Sequence, residues 1–471
     1  MKSALRHILL LSMSLAGISG ARAASLDEAR RLMEDGDAEA AVAVIREVAA
    51  AEPKNSEADI LLGDCLWQIG RDSEALEAYA EGRRKGDRMA ILALANAAVL
   101  QYRLDDARGL LEAYRKTLKK GKRQLAPDQS GDIEDRILRT ENMLARVQQI
   151  EVVDSVVVDA EDFFRYYRLS PESGSLNEPS AVLPEDFAAA EPTVVYEPES
   201  RRQMIWSMPD TAGVFRLVSS GALYGDSWEK PAPLGDVLND GGDANYPFLM
   251  PDGVTLYYAS DGENSLGGYD IFISRCDDEG EFLQPANIGM TYNSPYNDYL
   301  LAIDELTGAG WWASDRNRIP GKVTIYLFIP QELRVNVSPD APDLLARASL
   351  SSIRSTWQEG ADYRPLLRSI AAINPGGSKE RAADFQLSIP GRGVVTNYAQ
   401  LHSPRSRALM KDYVDSLRRF DKAMERLGEL RMAYAKGDRS VSDAILQAEA
   451  RIDQARGELL DMRNEIIRLE Q

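Results

Sequence analysis

A chain of 471 residues with 44% apolar and 27% charged residues is long enough to bury the cores of roughly two to four domains, and its composition is that of a globular protein. A formal charge of −19 disfavours nucleic acid and anionic lipid as partners, because so acidic a surface repels both. The two cysteines, Cys65 and Cys276, fall in different predicted domains and read as buried thiols, with a disulfide as the alternative that export would permit.

Lys2 and Arg6 precede the apolar run 8–18, and Ala21-Arg22-Ala23 supplies a small-x-small cleavage signal, so residues 1–23 read as a secretory signal peptide. Cleavage removes Lys2, Arg6 and Arg22 and no acid, which takes the formal charge from −19 to −22. No cysteine follows the cleavage site, which argues against a lipoprotein. No other apolar run approaches 18 residues, so the expectation is an exported protein without a membrane span.

From residue 26 to about 120 the pattern is helical and repeats. Gly36-Asp37 with Ala41 recurs 34 residues later as Gly70-Arg71 with Ala75, and Arg103-Leu104-Asp105 with Ala107 follows 32 to 34 residues after that. This period, with Leu62-Gly63 and the small residues, resembles the tetratricopeptide repeat, whose paired helices stack into a concave solenoid. The resemblance implies either a surface for a peptide or partner helix or an internal spacer. Residues 121–130 read as a basic linker, and residues 132–150 as a helix that caps the solenoid, which gives a first domain over 24–150.

The period then changes. Residues 152–158 are strand-like, and the following stretch to Pro192 is loop-rich, either a degenerate blade or a connector. Beyond it a meander is written three times in one 54-residue register. Tyr258-Ala259-Ser260-Asp261 becomes Trp312-Ala313-Ser314-Asp315, Tyr269 to Ser274 falls on Phe215 to Ser220, and Phe282-x-x-Pro285-x-x-Ile288-Gly289 matches Trp228-x-x-Pro231-x-x-Leu234-Gly235. With the turn Pro251-Asp252-Gly253, these residues resemble the WD40-like propeller repeat PD40, of the TolB type; Met208-Pro209-Asp210 and Ile303-Asp304 read as worn copies of the turn. The resemblance implies propeller blades over 151–340. Three units are too few for a ring, so either residues 152–158, 333–337 and 385–389 complete further blades or the sheets form an open partial array; the expectation is a closed or nearly closed one, because open edges invite aggregation.

Residues 341–402 read as a mixed helix and strand segment, with Trp357 and Tyr363 as core aromatics. In 403–471, Met410, Tyr413, Leu417, Phe420, Met424 and Leu427 step by 3 and 4, and so do Ile445, Ala448, Ile452, Ala455, Leu459, Met462, Ile466 and Leu469. Gly437-Asp438 separates the two runs, which predicts an antiparallel coiled-coil hairpin able to pair with itself or with a second copy. The fold class is therefore multidomain α+β: an N-terminal α-solenoid, central all-β propeller-like repeats and a C-terminal helical hairpin.

Catalytic chemistry is thinly represented. His402 is the one histidine after residue 23, and there is no nucleophile elbow, P-loop or H-E-x-x-H pattern. Asp240, Asp243, Asp252, Asp261, Asp270, Asp298, Asp304 and Asp315 crowd the repeat loops, where aspartate serves turns; a pair of them could instead work on a glycan. Asp261, Asn264 and Asp270 offer hard oxygens for calcium without an EF-hand spacing. No catalytic, cofactor-binding or metal-binding residue is assigned. Tyr292, Tyr296, Tyr299, Trp311 and Trp312 are the candidate partner-binding face, because exposed aromatics supply contact area at small entropic cost. The order of signal, TPR-like helices and PD40-like repeats resembles a group of periplasmic proteins of the Bacteroidota, some tied to type IX secretion. Those often end in an OmpA-type domain where this chain ends in a helical hairpin. The expectation is a non-enzymatic scaffold binding envelope proteins in the periplasm or cell envelope of a Gram-negative bacterium, the alternative being a glycan- or peptidoglycan-binding module.

Overall fold

The computed structural model describes residues 22–470 apart from 121–122, 125, 185, 188–193, 224–226, 240, 332, 359, 374–386, 390–392, 396–397 and 436–437. Asp240 and most of the expected signal peptide lie outside the described residues. The chain forms two compact units: Met1–Ala145 with Arg318–Pro320 and Gly437–Glu458, and the remaining residues.

Up to Ala145 the described residues of the first unit form seven helices: α1 (Arg22–Glu34), α2 (Ala38–Ala51), α3 (Ser56–Gln68), α4 (Asp72–Arg84), α5 (Met89–Leu100), α6 (Leu104–Thr117) and α7 (Gly131–Leu144). The signals that repeat in sequence are the ones that delimit them. Gly36 and Gly70 hold φ of 84° and 72° just beyond α1 and α3, the left-handed conformation that stops a helix. Asp37 and Asn55 cap α2 and α3 by accepting from the Ala40 and Ala58 amides at 3.1 and 3.2 Å. Ala41, Ala75 and Ala107 are wholly buried, the small residues that let helices approach. The predicted capping helix ends at Leu144 rather than Ile150: Gln148, Gln149 and Val147 are extended and bond to the chain at Met290, Val335 and Val337.

The second unit holds three antiparallel sheets of four or five strands, besides a two-stranded one. Strands β1 (Glu151–Asp159), β2 (Ser175–Asn177), β3 (Val195–Glu197), β4 (Gln203–Pro209), β5 (Phe215–Gly221), β6 (Ala232–Pro233), β7 (Ala244–Leu249), β8 (Thr255–Ser260), β9 (Asp270–Arg275), β10 (Ala286–Asn287), β11 (Asp298–Asp304), β12 (Ala309–Ser314) and β13 (Lys322–Ile329) pair in the orders β2-β3-β4-β5-β6, β7-β8-β9-β10 and β11-β12-β13-β1.

The repeat register read from sequence is the register of the sheets. Isolated bridges join Ala222 to Trp228 and Cys276 to Phe282, and the amides of Leu234 and Ile288 bond the carbonyls of Leu217 and Ile271 at 3.0 and 3.1 Å. Side chains repeat too. Asn239 accepts from the Leu217 amide (2.7 Å) and donates to its carbonyl (3.1 Å), and Asn293 does the same to Ile271 (2.8 and 2.9 Å). Each asparagine thus ties the next-to-last strand of one sheet to the segment leading into the next, satisfying backbone groups that the short outer strands leave unpaired. Tyr246 and Leu300 both adopt positive φ beside breaks in strand register, a repeated bulge in β7 and β11.

Closure of a ring is not detected among the described residues. Among the described residues no strand pairs the first sheet with the third, and the expected extra blades are absent: residues 333–337 form no strand, and Leu387–Ile389 pairs with Gly393–Val395 alone, Phe385 itself lying outside the described residues. Of the expected contributors only β1 joins, as the fourth strand of the third sheet, alongside β13. The common core instead takes in Phe163 and Tyr167, from the segment after β1, and Ile370 of the helix Arg364–Ala372. Phe163 sits edge-on to Tyr246 and Tyr299 at 5.8 and 5.1 Å. The Tyr167 hydroxyl donates to the Leu300 carbonyl at 2.7 Å. The β1 edge is guarded by Thr356, which accepts from the Val152 amide at 2.9 Å, and by Trp357, whose indole donates to the Val152 carbonyl at 2.7 Å.

The PD40-like turns need one correction. Asp252 accepts from the Val254 and Thr255 amides (2.8 and 2.9 Å), and Asp304 accepts from Leu306 and Thr307 (3.0 and 3.3 Å), between the first two strands of their units. Met208-Pro209-Asp210 lies one connection later, between β4 and β5; the equivalent turn in the first unit is Pro198 to Arg201, closed by the Arg201 amide on the Pro198 carbonyl at 2.9 Å.

Two long helices, Pro404–Ala435 and Ser442–Glu470, end the chain. Met410, Tyr413, Phe420 and Leu427 of the first and Ile452, Leu459 and Ile466 of the second are buried, on the predicted stripes. Glu470 accepts from the His402 and Ser403 amides at 2.9 and 3.0 Å and from the Ser406 hydroxyl. The end of the second helix therefore caps the start of the first, the arrangement an antiparallel hairpin requires.

Candidate partner-binding groove

In the first unit α3 touches α5 and α5 touches α7, in addition to the contacts between neighbours in sequence. Alternate helices that meet across a repeat lie on the inside of the solenoid's curve, so α1, α3, α5 and α7 line its concave face. Arg30 on α1, Asp64 on α3 and Asn96 on α5 recur at the 34- and 32-residue steps of the repeat, and all three are half-buried. Arg136 of α7 donates to the Asn96 carbonyl oxygen, which joins this row to the last helix.

Each side chain has a local cause. Arg30 pairs with Glu57 on the next inner helix and with Asp27 one turn back at 2.9 Å. Gly63 precedes Asp64 because the Tyr79 ring lies against its backbone; a Cβ there would sit 2.3 Å from the ring. The Tyr79 hydroxyl then reaches Asp64 at 2.7 Å. Burial pushes the Asp64 carboxyl up to about 7, against the Tyr79 hydrogen bond, which lowers it. Burial, with the Asp64 charge beside it, also pushes the neighbouring Cys65 thiol up, so that cysteine is an inert core residue. Burial holds Arg136 below its ordinary value, and the charge of Arg139 adds to that. On the same faces as Asn96 and Asp64, one turn away, half-buried Ala93, Leu100 and Leu61 add apolar surface. The face therefore offers alternating charged and apolar patches along its length.

The aromatic face expected from sequence is not assembled. Trp312 is completely buried and stacks on Tyr326 at 4.7 Å, and Tyr292 packs edge-on to Trp312 at 5.3 Å in the same core. Tyr299 and Trp311 are buried in the core common to the three sheets, Tyr299 stacked on Tyr246 at 4.7 Å. Tyr296 is half-buried. Strands β7 and β12 are buried at every position, so on both faces, and no alternate set of their aromatics is left over for solvent.

The loop aspartates are occupied with backbone. Asp243 accepts from the Phe215 amide (2.9 Å), Asp261 from the Asp243 amide (2.7 Å) and Asp315 from the Asn297 amide (2.8 Å). Asp298 pairs with buried Arg316 at 2.7 Å. Of the calcium candidates, Asp270 accepts from the Leu266 amide and the Asn287 side chain (3.0 and 2.6 Å), and the Asn264 carbonyl accepts from Asn287 at 3.0 Å. Among the described residues no three His, Cys, Asp or Glu side chains are placed to hold a metal ion, and no helix is long and apolar enough to cross a membrane. Cys65 and Cys276 are both free thiols. Arg30, Asp64, Asn96 and Arg136 escaped the sequence reading, although the first three share the repeat step that revealed the glycines and alanines.

No curated protein matches the chain. Residues 26–90 match the tetratricopeptide repeat family, which covers α2, α3, α4 and most of α1 and ties this unit to protein–protein interaction.

Proposed function

We propose that the protein is a non-enzymatic exported scaffold whose concave helical face holds a protein partner in the periplasm or cell envelope of a Gram-negative bacterium. The observation that carries this reading is the tetratricopeptide repeat match over residues 26–90, together with a continuous inner face bearing half-buried charged and apolar side chains. Export rests on the residue 1–23 pattern. The PD40-like resemblance of the three meander units supports this setting, since periplasmic Bacteroidota proteins that carry such repeats include some tied to type IX secretion, and a link to envelope assembly or that secretion is part of the proposal. The terminal helices are a further surface for self-association. An aromatic platform would favour the glycan-binding alternative, and four of the five aromatic residues expected on a partner-binding face fill cores instead.

Affinity purification of the full chain from fractionated cells tests the reading. The expected result is one defined protein recovered in near-equal amount from the envelope fraction. Recovery of the chain alone from that fraction, with cell-wall fragments retained on it, would replace the scaffold by the glycan binder.

A further inference from the structure

We infer that the end of the sheets where Asp243, Asp261 and Asp315 meet Tyr246, Tyr269 and Tyr299 takes a primary alkylammonium group, the chemistry of a lysine side chain or of a free aliphatic amine. The inference stands apart from the helical groove.

Asp261 and Asp315 occupy one repeat position, directly after β8 and directly after β12. Backbone amides fix both: Asp261 accepts from Asp243 at 2.7 Å and Asp315 from Asn297 at 2.8 Å. The Asn297 side chain also donates to Asp315 at 2.6 Å and accepts from the Tyr269 amide at 3.0 Å, which holds the end of β12 beside the entry to β9. The three aspartates are half-buried, so a ligand can approach them from solvent. Behind them stand the tyrosines. Tyr246 stacks on Tyr299 at 4.7 Å and meets Tyr269 edge-on at 5.8 Å. Burial pushes all three phenols up; the Asp315 charge adds to this at Tyr246 and Tyr299, and the Asp243 and Asp261 charges do so at Tyr269.

Two features point to a ligand. Tyr246 and Tyr299 are only 5% and 8% exposed, yet among the described residues their hydroxyls have no hydrogen-bond partner, whereas Asn245 bonds that of Tyr269. A polar group withdrawn from water is costly unless it is paired. Asp315, for its part, pairs with no Lys or Arg among the described residues, and burial pushes its carboxyl up to about 6 against the bonds from Asn297. Its neighbour Asp298 is matched by Arg316. An ammonium answers both needs: its N–H groups reach carboxylate and phenol oxygens, and its charge is attracted to the aromatic rings. A neutral sugar would leave the carboxylates uncompensated. A metal ion does not fit, since no three acids among the described residues are placed to hold one.

Isothermal titration of the full-length protein with Nα-acetyl-lysine amide, with cadaverine and with the Nε-acetylated lysine derivative tests this. The wild-type protein should bind both amines and not the acetylated compound. Combining Tyr246→Phe with Tyr299→Phe removes two hydroxyls that bond nothing among the described residues, so the double variant should be as stable as wild type and bind each amine about tenfold more weakly. Asp315→Asn should weaken binding by at least as much. Tighter binding of the lysine derivative than of cadaverine supports the inference and assigns the site to a lysine of a protein partner; the reverse order supports it and assigns the site to a free amine. Absence of binding to either amine at millimolar concentration, equal binding of the acetylated compound, or unchanged affinity in the double variant would overturn it.

Discussion

Two neighbouring residues on α3 show how one contact serves packing and electrostatics at once. Gly63 has no side chain because the Tyr79 ring occupies that space, and Gly63→Ala should cost roughly 1–3 kcal/mol through forced displacement of a buried aromatic, read as a lower denaturation midpoint. The leucine-glycine step was legible in the sequence; its reason was not, since the ring arrives from α4. Asp64 carries a pH dependence whose sign follows from its raised value. The folded chain keeps the proton up to about pH 7, whereas the unfolded chain releases it near 3.8. This group's contribution to stability is thus full below pH 4, declines as pH rises to 7 and is flat above. Denaturant midpoints for wild type and Asp64→Asn should converge toward pH 4 and separate toward pH 8, with the variant the more stable at the high end. Parallel curves over that range would show that Asp64 is ionised throughout.

Among the elements, the repeat that is plain in sequence is plain in hydrogen bonds. Asn293 is fully buried and makes three of them, to both backbone groups of Ile271 and to Asn287, while its counterpart Asn239 is half-buried. Asn293→Ala should therefore destabilise by about 2–3 kcal/mol and Asn239→Ala by less, because water reaches the half-buried site of the second and can replace part of what is lost. Equal effects in thermal unfolding would mean that burial does not grade the two. The sequence led astray where partners are distant. β1 pairs with β13 across more than 160 residues, so nothing local marks it as the fourth strand of the third sheet. Aromatic strands buried on both faces read like strands with a surplus to expose. The terminal helices were legible from their 3–4 stripes, yet not the cap that joins their ends. Glu470→Ala should lower stability by about 1–2 kcal/mol and raise amide exchange at His402 and Ser403; unchanged exchange there would contradict the capping role.

For the molecule as a whole, the helical repeats, the three sheets and the terminal helices all followed from periodicity, whereas the lack of further blades among the described residues did not. Closure depends on what fills the remaining flank, and here Phe163, Tyr167 and Ile370 from irregular or helical segments do so in place of further blades. The function proposed rests on the concave helical face, and position-specific photo-crosslinking in cells addresses it directly. A crosslinking residue at Gln68, exposed at the end of α3, is compared with one at Leu306, exposed on the turn between β11 and β12. The account predicts one discrete protein adduct from position 68 and none from 306. Adducts from 306 without any from 68, or from neither position, would contradict the assignment of partner binding to the groove.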